Sequence, residues 1–288
     1  MLNRLGESSM TYRTILVHLD TSARAHPRLE TALQLAKQFD AYVIGLYAVF
    51  EPNARAFNVM AGSAGYYDEY AAMRRERANA LERLFHAELN RAGVSGEWLA
   101  PGGGADRAVP HHARCADLVI VGQDDPGDAE SFIGEGFREH LILSAGRPVL
   151  LVPYTGSFAA VGQFPMIAWD GGREAARAVH DALPLLKAAG RATIVTLDVH
   201  AGDARGERSA GGDIAACIAR HGVEVEIVPG VAGTEASAGD VLLSRAADLG
   251  ADLVVMGGYG HARLRELVLG GATRTFLESM TVPVLMSH

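Results

Sequence analysis

A heptapeptide that occurs twice decides the fold: ADLVIVG at residues 116–122 returns as ADLVVMG at residues 251–257, at an offset of 135. The sequence PVLL at 148–151 returns at the same offset as PVLM at 283–286. Further upstream, ILVHLD at 15–20 matches PMIAWD at 165–170, at an offset of 150. The chain therefore contains one unit twice. The first copy is longer by 15 residues, the difference between the two offsets, and we assign them to the stretch 51–70.

Each copy alternates short apolar runs with stretches whose apolar residues recur at helical spacing. In the second copy, five runs predict strands, at 166–169, 192–197, 223–228, 253–256 and 282–286. Pro184 predicts a break in the first helix of this copy. Alternating strands and helices favour right-handed crossovers and a parallel sheet with helices on both faces. We predict two tandem α/β domains, over 11–155 and 163–288.

Composition excludes several classes of protein. Of 288 residues, 49% are hydrophobic, which is enough for two packed cores, yet no apolar run approaches the ~20 residues that cross a membrane. A net charge of −8 gives no basic surface for nucleic acid. Cys115 and Cys217 are too few for a disulfide framework or a zinc site, and both are expected to pack inside helices. A cytoplasmic location is the simplest expectation.

The glycines of the second copy form the most informative motif. Gly257-Gly258-Tyr259-Gly260 follows a predicted strand and, nine residues later, Gly270-Gly271-Ala272-Thr273 opens a predicted helix. Glycines let the backbone approach an anion closely, and a helix N-terminus favours negative charge. Neither G-x-G-x-x-G nor G-x-x-x-x-G-K-[ST] occurs at the expected place. The motif predicts a phosphate cradle; the alternative is a flexible loop with two helix caps.

This spacing, G-x-x-G-x₉-G between an ADLVVM strand and a VPVL strand, resembles the universal stress protein family, and the resemblance covers both copies. It implies two open, five-stranded parallel sheets of order 3-2-1-4-5 with an adenine nucleotide alpha hydrolase-like fold. It also implies pairing of domains, within the chain or in a homodimer. Family members with the full glycine motif bind ATP, which Mg²⁺ can accompany, and the function implied is regulation in the stress response.

The resemblance further implies the residues of an ATP site in the second copy. Asp170 would lie near adenine and ribose, and the backbone of Leu197 would contact adenine. Ribose and phosphates would be contacted by the glycine motif with its neighbours, namely Met256, Gly257, Gly260, Gly270, Gly271, Ala272 and Thr273. Gly271 stands where the family usually has Ser or Thr, and Thr273 is a candidate for the replacement hydroxyl. The alternative role for Asp170 is to cap a helix or turn.

The first copy departs from this motif. At offset 135, Gly260 corresponds to Asp125, Gly270 to Glu135 and Thr273 to Arg138. Two carboxylates near triphosphate oxygens would repel them, because like charges about 4 Å apart repel by about 4 kcal/mol near a protein surface. We therefore predict that the first copy binds no ATP and serves as a structural pairing partner.

No residue pattern indicates a general base, a catalytic lysine or a metal site, so we expect a nucleotide-binding regulator rather than an enzyme, with slow ATP hydrolysis left open. The second hypothesis is an interaction or dimerisation protein of the same fold that binds no nucleotide. Tyr66, Tyr67 and Tyr70 either cover a cleft or a subunit contact, or belong to an exposed loop.

Overall fold

The computed structural model describes residues 11–50, 64–102, 104–197, 211–230, 237–259 and 271–288, apart from the side chains of 64–68, Tyr70, Leu197 and Gly230. It contains two compact units. The N-terminal unit is Thr14–Ser157, and the C-terminal unit is Phe158–His288 together with the short segment that ends at Arg13.

The N-terminal unit alternates strands and helices. Its strands are β1 (Thr14–Leu19), β2 (Tyr42–Tyr47), β3 (Gly96–Leu99), β4 (Leu118–Gly122) and β5 (Val149–Val152). Its helices are α1 (Ala25–Phe39), α2 (Ala64–Ala92), α3 (Ala105–Ala113) and α4 (Phe137–Ser144). The strands pair in parallel in the order β3-β2-β1-β4-β5.

The C-terminal unit repeats this arrangement. Its strands are β6 (Pro165–Trp169), β7 (Arg191–Leu197), β8 (Glu224–Gly230), β9 (Leu253–Gly257) and β10 (Val284–Ser287). Its helices are α5 (Arg173–Asp181), α6 (Leu183–Ala189), α7 (Gly212–Ala219), α8 (Ala238–Asp248) and α9 (Gly271–Ser279). The parallel order β8-β7-β6-β9-β10 is the predicted 3-2-1-4-5. The break predicted at Pro184 is confirmed, since Pro184 lies in the first turn of α6.

The core of each unit lies on the two faces of its sheet. The central strands β4 and β9 are continuous apolar runs, and their residues are buried except Gly257 at the end of β9. Such runs are typical of parallel strands covered by helices on both faces. Neighbouring strands end at the same level of the sheet. The register shows this, because Ile15 of β1 pairs with Leu118 of β4, and Ala168 of β6 pairs with Met256 of β9. The residues that follow these strands therefore meet at one carboxyl edge in each unit.

Two details differ from the sequence-based expectation. The second part of the 51–70 stretch is helical, because α2 begins at Ala64 and places Tyr66, Tyr67 and Tyr70 within a helix. The first part, 51–63, lies outside the described residues. Cys115 is exposed and follows the end of α3, so its predicted packing inside a helix is wrong, whereas Cys217 lies in α7 and is partly buried.

Within the described residues, no helix combines the length and apolar character that crossing a membrane requires. The same part of the chain contains no group of three or more His, Cys, Asp or Glu side chains that could hold a metal ion.

Candidate functional site

The carboxyl edge of the C-terminal sheet brings several predicted site residues together. Trp169 pairs with Thr196 and Ala168 with Met256, so Asp170, Leu197 and Gly257 reach the same edge. Helix α9 begins at Gly271 and therefore starts with three more predicted residues, Gly271, Ala272 and Thr273. Gly260 and Gly270 lie outside the described residues.

Asp170 forms the turn that leads from β6 into α5. Its Oδ1 accepts a hydrogen bond from the N–H of Gly172 at 2.8 Å, and Gly172 is the N-cap of α5. The side chain is exposed. Asp170 thus has the turn role that was the alternative to ligand contact, and its carboxylate is also accessible at the edge where a ligand would bind.

Gly257 is required by packing, whatever binds nearby. A Cβ atom on this residue would lie 2.6 Å from the backbone N of Ala175 and 2.7 Å from the carbonyl carbon of Glu174. Both atoms belong to the first turns of α5, so any side chain at position 257 would collide with that helix. The preceding residue, Met256, is buried in β9. The glycine at 257 is therefore weaker evidence for a ligand than the sequence motif suggests.

The two amides after Gly257 already have partners. The N–H of Gly258 donates to the carbonyl of Ser287 at 2.9 Å, which extends the pairing of β9 with β10. The N–H of Tyr259 donates to Oγ1 of Thr273 at 3.3 Å. Tyr259 has φ = 62°, in the left-handed region that non-glycine residues rarely adopt, and it is buried.

Thr273 connects this loop to α9. Its side chain is only 3% exposed, and its hydroxyl oxygen accepts the hydrogen bond from Tyr259. The sequence suggested Thr273 as a replacement hydroxyl for a phosphate. In the structure that hydroxyl accepts the N–H of Tyr259, the residue of the β9 loop that adopts the left-handed conformation.

The start of α9 provides the described amides that suit an anion best. The first N–H groups of a helix have no acceptor within the helix, and the helix dipole favours negative charge there. Gly271 is exposed, and a Cβ built on it would meet no atom within 4 Å. Packing therefore does not require glycine at 271, and the departure from Ser or Thr has no steric cause within the described residues.

An ion pair at the start of α5 sets the local charge. The Arg173 side chain is exposed and donates from Nε to the Glu174 carboxylate, which is buried. Burial raises the pKa of Glu174, but hydrogen bonding from Arg173 and the charges of Arg173 and His288 outweigh it, so the pKa lies below its usual value. Glu174 therefore stays ionised, and Arg173 presents a cation at this edge.

At the equivalent edge of the N-terminal unit, Asp20 is buried rather than exposed. Its Oδ2 lies 2.8 Å from Nη2 of Arg28, and both side chains are at most 3% exposed. Burial raises the pKa of Asp20, but Arg28, His18 and the hydrogen bond from Ser22 outweigh it and lower the pKa below its usual value. The Arg28 guanidinium also occupies the space where a Cβ on Gly122 would lie.

Arg138 is the second buried cation at this edge. Its Nε donates to the carbonyl of Gly122 at 2.5 Å, and its Nη1 lies 2.5 Å from Oδ1 of Asp124. Arg138 stands at the position of Thr273, and Gly122 at that of Gly257. In the N-terminal unit, two guanidinium groups therefore occupy the region next to the β4 carboxyl end.

Carboxylates from the loop after β4 bind the loop after β1. Oδ2 of Asp128 accepts the N–H of Ala23 at 2.9 Å, and Oε2 of Glu130 accepts the hydroxyl of Thr21. The sequence singled out Asp125 and Glu135 instead. Asp125 accepts the N–H of Gly127 in a local turn, and Glu135 is exposed. The acidic groups that contact donors beside β1 are thus Asp128 and Glu130.

Arg28 was the important residue that sequence reasoning missed. It lies in the first turns of α1 at a position without a glycine or motif landmark. The one available signal was a basic residue eight positions after Asp20 on the helix that packs over β1 and β4. Arg138, by contrast, was found by aligning the two copies.

Comparisons with known proteins agree with this architecture. The model of the universal stress protein family matches residues 11–153 and 166–288. A universal stress protein from Archaeoglobus fulgidus DSM 4304 is similar in structure, with a TM-score of 0.69, 17% identity and 95% of each chain covered. A functionally unknown protein from Pseudomonas aeruginosa PAO1 has a TM-score of 0.61 and 18% identity, over 96% of this chain and 92% of that one. No curated protein matches the sequence significantly.

Proposed function

Because the chain belongs to the universal stress protein family, we propose that its C-terminal unit binds ATP at the carboxyl edge of β6 and β9. We propose in addition that the N-terminal unit binds no nucleotide. The single observation that carries this proposal is the contrast between the two carboxyl edges. The C-terminal edge has Gly271, Ala272 and an exposed Asp170, whereas the N-terminal edge has the buried guanidinium groups of Arg28 and Arg138.

Three features of the C-terminal edge support a nucleotide ligand. The first-turn amides of α9, from Gly271 onward, suit phosphate oxygens. The exposed carboxylate of Asp170 can accept hydrogen bonds from ribose hydroxyls or the adenine amine. The exposed guanidinium of Arg173 adds a cation near the triphosphate. Mg²⁺, where it accompanies ATP, would be held mainly by the phosphates and water.

The proposed role is regulatory rather than enzymatic. Among the charged side chains described at this edge, Asp170, Arg173 and Glu174 each take part in a turn or an ion pair. None is placed as a general base for an attacking water. ATP would then act as a ligand that shifts the equilibrium between conformations or partners of the protein, by as much as its affinity for the two states differs.

The second candidate is an interaction protein that binds no nucleotide. Its support is structural: packing on α5 accounts for Gly257, and the amides of Gly258 and Tyr259 already have partners. Contacts within the protein therefore explain this part of the glycine motif without a ligand.

Each unit contains one tryptophan, which gives a direct test. Trp98 lies in the N-terminal unit and Trp169 precedes Asp170 in the C-terminal unit. Single-tryptophan variants, Trp98→Phe and Trp169→Phe, report the unfolding of each unit separately. A ligand that binds only the native state raises stability, by about 2.7 kcal/mol at a hundred times its Kd. We expect ATP to stabilise the unit reported by Trp169 and to leave the other unchanged.

A variant at Gly271 supplies the control. Gly271→Asp fits sterically, and the helix dipole stabilises a negative charge at this position. The fold is therefore expected to persist, while the new carboxylate repels the phosphates of ATP. If ATP stabilises the C-terminal unit of the wild-type protein but not that of Gly271→Asp, the result supports the proposed site. No stabilisation of the wild-type protein by millimolar ATP, together with no nucleotide in mass spectra of the freshly purified, denatured protein, contradicts the proposal and favours the interaction protein.

A further inference from the structure

A pocket lies at the amino edge of the C-terminal sheet, the edge opposite to the candidate nucleotide site. It is lined at the start of three neighbouring strands, where β6, β7 and β8 begin at Pro165, Arg191 and Glu224. Its volume is about 510 Å³, within the range of roughly 300–1,000 Å³ that is usual for small-molecule sites. Buried Met166 forms part of its floor.

The apolar residues of the rim are unusually exposed. Phe164 is 50% exposed and Leu249 is 37% exposed. Among the described residues of the C-terminal unit, these two are the exposed large hydrophobic side chains, and both line this one pocket. Single exposed apolar residues are common on protein surfaces, but two on one concavity indicate a place where a ligand or partner covers them.

The charges of the rim favour a cation as the ligand. Glu224 and Glu226 lie two residues apart on β8, so both side chains point to the same face of the sheet. Neither carboxylate has a hydrogen-bond or ion-pair partner among the described residues. Arg191 is the one basic residue of the lining, and its guanidinium carbon lies 4.5 Å from the centroid of the Phe164 ring. The lining therefore carries a net charge of −1, with its cation stacked on the aromatic ring.

The stacking of Arg191 places a cation of the protein itself over the Phe164 ring. A cation over an aromatic ring is attracted by the negative face of the ring. A ligand ammonium group could bind between the two carboxylates, and an apolar body attached to it would cover Phe164 and Leu249. An anionic ligand would meet two carboxylates for one guanidinium group.

We propose that this pocket binds a small organic cation with an apolar body, its charged group between Glu224 and Glu226 and its apolar part against Phe164 and Leu249. The proposal is independent of nucleotide binding, because every residue that carries it lies at the other edge of the sheet.

Three probes of nearly equal size and different charge test the proposal: 2-phenylethylammonium, 2-phenylethanol and phenylacetate. Binding to the full-length protein is followed by NMR, using the amide signals of Thr193 and Val225 together with saturation transfer to the probe. We expect saturable binding of the ammonium compound, binding of the alcohol that is weaker by a few-fold, and none of the carboxylate, since a charge–charge contact with an exposed carboxylate changes affinity by about a few-fold.

Variants connect the effect to the named residues. Glu224→Gln with Glu226→Gln should weaken binding of the ammonium probe at least tenfold, and Phe164→Ala should weaken it too. Glu278→Gln is the matched control, because it removes an exposed carboxylate of the same unit on α9, outside the pocket. Folding of every variant is checked by Trp169 fluorescence.

Several results would overturn the proposal. Equal binding of all three probes would make the pocket a plain apolar patch, and preference for phenylacetate would make Arg191 the dominant group. Unchanged binding in the double variant, equal weakening by Glu278→Gln, or no saturable binding up to 10 mM probe would also contradict it. None of these results depends on whether ATP binds at the opposite edge.

Discussion

The carboxyl edges of the two sheets differ in the burial of their charged side chains. In the N-terminal unit, Asp20, Arg28 and Arg138 are all at most 4% exposed and pair with neighbouring groups of the same unit. In the C-terminal unit, the acidic residue equivalent to Asp20 is the exposed Asp170, and the residue equivalent to Arg138 is the uncharged Thr273. Strand order and register are the same in both.

This difference shows that one backbone arrangement permits either exposed or fully buried charged side chains at the same place. In the N-terminal unit, the buried Asp20 carboxylate pairs with Arg28, and the buried Arg138 pairs with Asp124. At the C-terminal edge, the first-turn amides of α9 have no acceptor within the helix, and the Asp170 carboxylate is exposed to solvent. The buried pairs of one unit and the exposed groups of the other should therefore respond differently to substitution and to pH.

The largest effect is expected from removing the buried cation beside Asp20. Arg28→Met leaves the Asp20 carboxylate buried without its main partner, which typically costs about 3–5 kcal/mol. Urea unfolding of the N-terminal unit, followed by Trp98 in the Trp169→Phe background, measures the loss. Asp170→Asn is the matched change in the other unit, followed by Trp169 in the Trp98→Phe background. Because Asp170 is exposed, we expect it to change stability by less than about 1 kcal/mol. Equal losses would show that burial does not distinguish the two carboxylates.

A second large effect on the stability of the N-terminal unit is expected when the pH is lowered. Burial lowers the pKa of His18 to about 4 from its ordinary 6.5, and C-terminal Ala168 holds the equivalent position. Between pH 6.5 and 4 the unfolded state binds a proton that the native state does not, so N-terminal stability falls as pH falls. The full shift corresponds to roughly 3 kcal/mol. His18→Gln should flatten this part of the Trp98 profile, whereas an unchanged slope would show that other groups cause it.

The depressed pKa of Asp20 acts at lower pH in the same direction. Its contribution is complete above the unfolded value of 3.8 and is lost as pH falls through the lower folded value. The slope that remains in His18→Gln below pH 4 should therefore be reduced further by Asp20→Asn. A remaining slope that Asp20→Asn does not change would exclude Asp20 as its source.

The sequence predicted the repeat because the buried strands are continuous apolar runs whose landmarks coincide at fixed offsets. The sheet order was predicted from the family resemblance that the glycine motif carries. Side-chain contacts at the edge were less predictable. Gly257 looked like a ligand residue, yet its contact with the α5 backbone depends on how helix and sheet pack. Asp128 contacts Ala23, which is distant in sequence, and Arg28 reaches Asp20 and the end of β4 through the packing of α1, so no local pattern identified them. Thr273 was found by its position, but its partner Tyr259 was visible only through the backbone geometry.

A smaller effect is expected at the link between α9 and the β9 loop. Thr273→Val preserves the shape of the side chain but leaves the buried Tyr259 N–H without its acceptor, which costs about 1–2 kcal/mol. Thr273→Ser retains the hydroxyl and should lose less. Both are measured by urea unfolding with Trp169. If Ser destabilises as much as Val, the methyl group contributes as much as the hydroxyl, and a larger loss in Ser would make the methyl group the more important part of Thr273.

The smallest effect is expected at Gly271, where the motif departs from the family pattern. Gly271→Ser adds a hydroxyl beside the first-turn amides of α9, and a Cβ at this position has open space around it. If phosphates bind there, the new donor should strengthen ATP binding by a few-fold, since one hydrogen bond contributes about 1 kcal/mol. Titration calorimetry measures the change, and Gly271→Ala, which adds the Cβ without a donor, is the control. An equal gain in both variants would show that helix stabilisation, and not contact with the ligand, is the cause. No gain in either would place the phosphates away from the start of α9.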